Sequence, residues 1–328
     1  MKKKIFVTRR FAENGIQLLK NAGHEVSIFE KDEIISHREL LKRVKGCDAL
    51  LSLLTDKIDR EIFDAAGPAL KIVSNFAVGF DNIDLLEAKK RGIVVTNTPS
   101  DIVNEAVAEH TFALMLALGR RIVEADTFTR AKKYTGWSPT HFLGMKFKEK
   151  TLGIIGAGRI GASTARRATL GLGMHVLYTD SRKNTDLEHE IDAKRVSMEK
   201  LLESSDVISL HVPLLPSTHH LISTNEFSLF KKSAYLINTA RGPVVDEKAL
   251  LRALRTKRIA GAALDVFEAE PAIDCDVTDQ LELRKFPNVI LTPHIASATI
   301  EAREDMSRIA AENILAVLAG KAPINSAN

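Results

Sequence analysis

The sequence predicts an α/β protein built from two parallel-sheet domains, and three observations support this fold class. Short apolar runs typical of buried strands alternate with helical stretches along the whole chain. The chain has 328 residues, which is long enough for two domains with cores of their own. Only the second half carries a glycine-rich fingerprint, so the halves are expected to share an architecture but to bind different groups.

The first 98 residues carry five predicted strands with helical segments between them. Two of these helical segments end at Gly23 and Gly46, as helices commonly do. The strands are predicted at residues 4–8, 26–29, 49–54, 72–76 and 94–97. Because this half has no phosphate-binding fingerprint, we expect residues 1–98, joined by 296–328, to form a flavodoxin-like substrate-binding domain.

A strongly apolar helix is predicted over residues 104–123, where the chain leaves the first domain. Nearly every side of this helix is apolar, so it must be buried in a domain centre or a subunit interface. Residues 127–148 show no clear period and are predicted to form a long loop, with Trp137 in an otherwise polar setting. We interpret residues 101–148 as a dimerisation helix and arm, expect a homodimer, and hypothesise that Trp137 reaches the partner subunit's active site.

The stretch 151–180 has the order strand, glycine-rich turn, helix and strand. In its turn, Gly156 permits a tight bend, Gly158 lets a pyrophosphate approach the backbone, and Gly161 lets helix and strand pack closely. The helix start offers free N–H groups to phosphates, and Asp180 stands where a carboxylate can bind ribose hydroxyls. This pattern predicts a dinucleotide site formed by Gly156, Gly158, Arg159, Ile160, Gly161 and Asp180.

Strands and helices continue to alternate after the fingerprint. Strands are predicted at 207–211, 234–238, 259–265 and 289–291, and helices at 198–202, 225–230 and 246–255. Asp246 is expected to cap the last of these helices. A long amphipathic helix is predicted at 299–318. We expect residues 99–295 to form a dinucleotide-binding Rossmann domain.

Three charged residues follow predicted strands of the second domain, where ligands bind in open parallel sheets. They are Arg241 in NTARG, Glu270 in DVFEAEP and His294 in TPHIAS. Taken alone, such an Arg or Glu is usually a solvated charge, and such a His is more often a structural hydrogen-bonding group than a catalyst. As a set beside a dinucleotide site, they are candidate catalytic residues.

Six stretches occur in an order that resembles the D-isomer-specific 2-hydroxyacid dehydrogenase family over essentially the whole chain. They are NFAVGFDNID (75–84), GIIGAGRIG (153–161), HVPLLPSTHHLI (211–222), INTARGPVVDEKAL (237–250), ALDVFEAEP (263–271) and TPHIASAT (292–299). Within this family the chain is most similar to the glyoxylate/hydroxypyruvate reductase and phosphoglycerate dehydrogenase groups. One segment, residues 272–285, departs from the family pattern.

The resemblance implies a role for each candidate catalytic residue. His294 would exchange a proton with the substrate oxygen, and Glu270 would orient it. Arg241 would bind the keto oxygen and the carboxylate, because its planar guanidinium stays charged. Backbone N–H groups of Val78 and Gly79 would hold the substrate carboxylate. The active site is then expected in a cleft between the two domains that closes to exclude water.

The resemblance also implies cofactor contacts outside the fingerprint. Asp265 would bind the nicotinamide carboxamide. The other contacts would be Val212, Pro213 and Thr218 on the adenine and pyrophosphate side, and Thr239 and Ala240 on the nicotinamide side. Asp180 would repel a 2′-phosphate and so favours NAD over NADP, although Arg182 and Lys183 could attract one.

Composition and charge argue against several classes of protein. The net charge is only +4 with basic and acidic residues interspersed, so no nucleic-acid partner is expected. The longest plainly apolar run, residues 112–118, is too short to cross a membrane. Two cysteines fit a reducing compartment, and Cys275 has no His or Cys at metal-ligand spacing. We therefore expect a cytoplasmic protein without a metal site.

The expected function is the NAD-dependent interconversion of a small anionic 2-keto acid, such as glyoxylate or hydroxypyruvate, and its D-2-hydroxy acid. A phosphoglycerate-type dehydrogenase remains an alternative at this point. A second alternative is an NAD(H)-sensing scaffold, similar to the corepressors of the family, whose output is binding of partner proteins. The chain lacks an obvious peptide-docking extension, which disfavours the scaffold.

Overall fold

The structure, a computed structural model, describes residues 2–270 and 283–328. The chain forms two compact units, Met1–Val103 with Ala298–Asn328, and Asn104–Ser297. The unit boundaries therefore lie at residues 103 and 297, whereas the sequence placed them at 98 and 295. Among the described residues, no helix combines the length and the apolar character needed to cross a membrane.

The first unit contains a five-stranded sheet whose strands are all parallel. The strands are β1 (Lys4–Val7), β2 (Glu25–Ile28), β3 (Ala49–Leu53), β4 (Ile72–Phe76) and β5 (Val94–Thr96). Their order, β2-β1-β3-β4-β5, is the flavodoxin-like order. β3 and β4 are buried almost throughout, as expected for central strands of a parallel sheet covered on both faces.

Polar side chains set the starts of three helices in this unit. Ser36, Asp59 and Asp84 each accept a hydrogen bond from a backbone N–H of the following first turn. The helices that lie between successive strands are α1 (Glu13–Asn21), α2 (His37–Arg43), α3 (Arg60–Ala66) and α4 (Leu85–Lys90).

The second unit contains a seven-stranded sheet, which is also parallel throughout. Its strands are β6 (Thr151–Ile155), β7 (His175–Thr179), β8 (Lys194–Arg195), β9 (Val207–Leu210), β10 (Tyr235–Asn238), β11 (Gly261–Leu264) and β12 (Val289–Leu291). The order β12-β11-β10-β9-β6-β7-β8 is the Rossmann order with one additional strand. The predicted fold class, two parallel-sheet α/β domains, is confirmed.

Seven α-helices are described in or leading into this second unit. They are α5 (Asp101–Gly119), α6 (Ile122–Arg130), α7 (Arg159–Leu172), α8 (Thr185–Ile191), α9 (Met198–Ser204), α10 (Thr224–Leu229) and α11 (Glu247–Arg255). Asp246 caps α11 by accepting a hydrogen bond from the Ala249 N–H at 3.0 Å, which confirms the predicted N-cap. The short helix α8 and the two-residue strand β8 were not predicted from the sequence.

Two predictions for the region after α5 are wrong. The helix expected to continue to residue 123 ends at Gly119, and Arg121 breaks it with a positive φ of 55°. Residues 127–130, expected in a loop, belong to α6, none of whose side chains is buried. Ion pairs of 2.7 Å, Arg121–Glu124 and Arg130–Asp126, stabilise α6 locally. Because α6 buries no face, it has no apolar period for a sequence to show.

The last helix, α12 (Ile300–Leu318), belongs to the first unit. Thr299 caps it by accepting a hydrogen bond from the Ala302 N–H. Ser307 Oγ donates to the Ala12 carbonyl at 2.7 Å and so ties α12 to the start of α1. The amphipathic helix predicted at 299–318 is confirmed.

Candidate active site

The three candidate catalytic residues lie on loops that follow three adjacent strands. β10 pairs with β11 and β11 pairs with β12, with Asn238 opposite Leu264 and Leu264 opposite Leu291. Parallel strands in this register end together, so the loops that follow them leave one edge of the sheet. Those loops carry Arg241, Glu270 and His294.

His294 and Glu270 form a hydrogen-bonded pair. The Nδ1 atom of His294 lies 2.9 Å from Oε2 of Glu270. The other carboxylate oxygen of Glu270 accepts a hydrogen bond from the Phe267 N–H at 2.9 Å, which fixes the carboxylate. Since Glu270 engages Nδ1, the Nε2 atom of His294 is the ring nitrogen that can exchange a proton with a substrate.

A buried carboxylate shapes the turn that carries His294. The His294 backbone has a φ of 54°, a conformation that costs energy for a residue with a side chain. Its N–H donates to the Asp265 carbonyl at 2.8 Å. The Asp265 carboxylate accepts hydrogen bonds from the N–H groups of Ile295 at 2.9 Å and Ala296 at 2.8 Å. Asp265 therefore holds the strained turn on both sides of His294.

The pKa of Asp265 is lower than usual despite its burial. Burial alone would raise that pKa, because it disfavours the charged form. Hydrogen bonds from His110, from the Thr292 hydroxyl at 2.6 Å and from the two backbone N–H groups outweigh burial and lower it. Asp265 is thus a carboxylate at neutral pH. The nicotinamide contact expected of Asp265 stays a prediction.

The loop that carries Arg241 packs tightly against the loop that carries Glu270. Asn238 Nδ2 donates to the Arg241 carbonyl at 3.0 Å, and Arg241 Nη1 donates to the Ala240 carbonyl at 2.8 Å. A Cβ atom at Gly242 would overlap the backbone carbonyl of Phe267. Only a residue without a side chain allows this approach.

The glycine loop has the shape that a dinucleotide requires. Gly156 has a φ of 95°, and a Cβ atom there would lie 2.8 Å from the His211 carbonyl. A Cβ at Gly161 would overlap the Gly156 carbonyl, so these two glycines close the turn against its surroundings. At Gly158, in contrast, a Cβ would meet no atom within 4 Å, which leaves open space in front of the α7 N-terminus. These residues fit a pyrophosphate bound at a helix start.

Asp180, at the end of β7, is tied to the glycine loop. Its Oδ2 accepts a hydrogen bond from the Ala157 N–H at 2.8 Å, and its Oδ1 accepts one from the Arg182 N–H at 3.0 Å. Asn184 Nδ2 donates to the Ala157 carbonyl at 2.8 Å. The fingerprint and the carboxylate expected to bind ribose therefore form one rigid unit.

The other predicted cofactor residues lie on loops at the same edge of the sheet. Val212, Pro213 and Thr218 follow β9, and Thr239 and Ala240 follow β10, which pairs with β9. The Thr218 hydroxyl donates to the Pro213 carbonyl at 2.6 Å and closes its loop. Thr239 shares a buried 2.8 Å hydroxyl contact with Thr111 of α5. Their cofactor contacts stay predictions.

Two predictions concern residues outside this sheet edge. Val78 and Gly79 lie in the loop that follows β4 of the first unit, and their substrate role stays a prediction. Most of the segment 272–285, including Cys275, lies outside the described residues.

Two histidines make contacts close to the candidate catalytic residues that were not predicted from the sequence. His110 of α5 places Nε2 at 3.2 Å from the Thr292 hydroxyl and 3.4 Å from Asp265 Oδ1. His220 Nε2 lies 2.7 Å from Glu268 Oε1, two residues before Glu270. The sequence offers no signal for either contact, because His110 and Thr292 are 182 residues apart along the chain, and His220 and Glu268 are 48 apart.

The chain is similar to known proteins along its whole length. Residues 112–296 match the family described as D-isomer specific 2-hydroxyacid dehydrogenase, NAD binding domain. The glyoxylate reductase of Thermococcus litoralis is 48% identical over 332 residues, covering 100% of this chain and 97% of that protein.

Two solved structures illustrate the agreement of the fold. The TT0316 protein of Thermus thermophilus superposes with a TM-score of 0.90 at 39% identity, covering 99% of this chain and 100% of that one. An NADPH-dependent glyoxylate/hydroxypyruvate reductase of Sinorhizobium meliloti, in complex with NADP and malonate, gives 0.84 at 28% identity, with coverages of 99% and 97%. The chain belongs to the D-isomer specific 2-hydroxyacid dehydrogenase family and is an oxidoreductase that uses a nicotinamide cofactor.

Proposed function

We propose that this protein reduces a small 2-keto acid, glyoxylate or hydroxypyruvate, to the corresponding 2-hydroxy acid with NADH, in the D configuration where the product is chiral. The observation that carries the proposal is the 2.9 Å contact between His294 and Glu270, on loops that leave the sheet edge next to the Arg241 loop. A histidine paired with a carboxylate, beside an arginine, supplies a proton and binds a 2-keto acid anion. The glyoxylate reductase of Thermococcus litoralis, 48% identical, supports the choice of substrate.

The proposed mechanism assigns one task to each side chain. Arg241 binds the carboxylate and the keto oxygen of the substrate and polarises the carbonyl bond. Protonated His294 donates its Nε2 proton to that oxygen during reduction, and the neutral ring accepts it during oxidation. Glu270 holds Nδ1 and faces the positive charge of the protonated ring. A bound nicotinamide supplies the hydride that carbon receives.

We propose NAD as the preferred cofactor, because Asp180 offers a carboxylate where the adenosine ribose binds and would repel a 2′-phosphate. Of the two basic residues that follow, Lys183 is paired with Glu188 at 2.8 Å, so its ammonium group already has an acidic partner. The Sinorhizobium reductase binds NADP, so family membership alone does not decide the cofactor.

We propose that two chains associate through residues 101–148. Apolar side chains of this region are exposed in the single chain, among them Ile122, Tyr134, Leu143 and Trp137, the last with 83% of its surface exposed. We take these exposed apolar side chains as part of the surface that a second chain covers. We propose that Trp137 approaches the partner subunit's active site and helps to select the substrate. Unchanged kinetics in Trp137→Ala would remove that role.

A substrate panel tests the proposed function. NADH loss is followed by absorbance with glyoxylate, hydroxypyruvate, pyruvate, bulkier 2-keto acids and the oxidised form of phosphoglycerate. We expect the highest kcat/KM with glyoxylate or hydroxypyruvate. Preference for the phosphorylated acid would replace the proposal with a phosphoglycerate-type dehydrogenase. Tight NADH binding without turnover of any acid would contradict reductase activity.

A further inference from the structure

Two asparagine side chains hold successive carbonyl groups of the loop that follows β4. Asn97 Nδ2 donates to the Val78 carbonyl at 2.7 Å. Asn75 Nδ2 donates to the Gly79 carbonyl at 3.0 Å. Asn75 lies near the end of β4, and Asn97 directly follows β5, the neighbouring strand. Both donors therefore lie at the carboxyl edge of the first sheet, on the same side of the loop.

The carbonyl before these two is held in the same way. The Ala77 carbonyl accepts a hydrogen bond from the Thr98 N–H at 2.9 Å and one from the Thr98 hydroxyl at 3.2 Å. Thr98 also follows β5 and is fully buried. Three consecutive carbonyl groups thus point towards donors at one edge of the sheet.

This arrangement fixes the direction of three backbone N–H groups. In a trans peptide the C=O and N–H bonds point in opposite directions. Turning the three carbonyls towards the sheet therefore turns the N–H groups of Val78, Gly79 and Phe80 away from it. In the part of the chain that the structure describes, none of these three N–H groups donates to a protein acceptor. Successive N–H groups directed to one side form a nest that binds an anion.

The Asn75 side-chain amide cannot rotate by 180° without losing hydrogen bonds, because its oxygen is also hydrogen-bonded. Its Oδ1 accepts a hydrogen bond from the Ser52 hydroxyl at 3.0 Å. Its Nδ2 makes a second bond, to Asn82 Oδ1 at 3.0 Å, and Asn82 Nδ2 donates to the Leu53 carbonyl at 3.0 Å. Asn75 itself is fully buried. The Asn75 amide that donates to the Gly79 carbonyl is therefore held in place by Ser52 of β3.

Asn97 is anchored through its backbone. Its carbonyl accepts a hydrogen bond from Nδ2 of Asn313, a buried residue of α12. The Oδ1 atom of Asn313 accepts one from the Ile324 N–H at 2.8 Å. The Asn97 side chain has one described hydrogen bond, to Val78, so its removal affects a single contact of the loop.

We infer that Asn97 and Asn75 are positioning residues for substrate binding. They hold the 77–80 loop as a nest whose N–H groups bind the carboxylate of the 2-keto acid, an assignment that rests on the proposed function. Without the Asn97 amide, the peptide between Val78 and Gly79 is free to rotate, and its N–H no longer stays directed at the anion. The loss falls on carboxylate binding, in the ground state and the transition state alike.

Asn97→Ala tests this inference through a split between KM and kcat. We expect KM for glyoxylate to rise about tenfold, with kcat within about twofold of the wild type. NADH affinity should not change. The dissociation constant of oxamate, a dead-end 2-keto acid analogue, measured by calorimetry on the NADH-loaded protein, should rise by the same factor. Asn97→Asp should raise both constants further, because it places a carboxylate against the Val78 carbonyl.

Asn14→Ala is the matched control. Asn14 Nδ2 donates to the Glu304 carbonyl at 2.9 Å, so this variant loses an asparagine-to-carbonyl bond of the same unit, far along the chain from the loop. Its KM and oxamate affinity should equal those of the wild type. If Asn97→Ala does not fold, Thr98→Val removes only the hydroxyl donor to Ala77, and we expect about a threefold effect on the same constants.

The outcomes separate this inference from the proposed function. Wild-type KM and oxamate affinity in a folded Asn97→Ala protein would overturn the positioning role while leaving reductase activity intact. A wild-type protein that binds oxamate but turns over no 2-keto acid would overturn the proposed function. In that case the oxamate affinity of Asn97→Ala alone would test whether Asn97 positions the nest.

Discussion

His211 is a half-buried imidazole directly after β9, with Nε2 at 2.9 Å from the Ser209 hydroxyl. Burial lowers the pKa of His211 from its ordinary 6.5 to about 3. Below pH 6.5 the unfolded chain binds a proton on this ring and the folded chain does not, until pH falls to about 3. The folded state therefore loses stability as pH falls through 6.5.

We expect this loss to appear as a difference between wild type and His211→Gln. Between about pH 7.5 and about pH 5.5 the free energy of unfolding should fall by about 1 kcal/mol more for the wild type, because the variant has no imidazole to protonate. Urea titrations at the two pH values measure the difference. Parallel losses in the two proteins would show that His211 does not stay neutral when folded.

Gly242 lets the backbone of the Arg241 loop contact the backbone of Phe267, because it has no side chain. Gly242→Ala should lower the free energy of unfolding by at least about 2 kcal/mol, because two backbone segments must separate. Gly171→Ala is the control, because its Cβ meets no atom within 4 Å near the end of α7. That variant should be about 0.5 kcal/mol more stable than wild type. Equal stability of the two variants, measured by urea denaturation, would contradict the packing argument.

At the scale of elements, the glycine loop, α7 and the end of β7 act together. Asp180 fixes the loop through Ala157, and we propose that its carboxylate binds the adenosine ribose. In Asp180→Ala, the ratio of kcat/KM for NADPH to that for NADH should rise at least about tenfold, because the charge that opposes a 2′-phosphate is gone. Initial rates with both cofactors measure the ratio.

Lys183→Ala provides the comparison for this prediction. Lys183 already pairs with Glu188, and this pairing raises the pKa of Lys183. Removing it should leave the cofactor ratio within about twofold of wild type. A wild-type protein that prefers NADPH, or an unchanged ratio in Asp180→Ala, would contradict the assignment of NAD.

At the scale of the whole molecule, alternation of strands and helices was enough to predict both parallel sheets. The buried strands could be predicted because a strand covered on both faces is mostly apolar along its length, as in β3 and β11. α6 and β8 could not be predicted, because none of their residues is buried and they carry no apolar period. The sequence of a segment that is stabilised by local ion pairs is mostly polar, so it fits a loop equally well.

The candidate site could be predicted only in part, for a related reason. Arg241, Glu270 and His294 could be selected as candidates because each lies three to six residues after a strand, in a motif that resembles the family. The supporting contacts of Asp265, His110 and Asn97 depend on which strands lie side by side. Strand order is a property of the fold, so no local pattern in the sequence encodes these contacts.

In the proposed mechanism His294 exchanges the proton of the reaction. The most direct measurement is the turnover of glyoxylate by His294→Ala with saturating NADH, together with the NADH dissociation constant from fluorescence. We predict a fall in kcat of roughly 10²–10⁴-fold, because the substitution removes the proton donor. The NADH affinity should not change, because the glycine loop is intact. A His294→Ala protein with wild-type kcat would contradict the account.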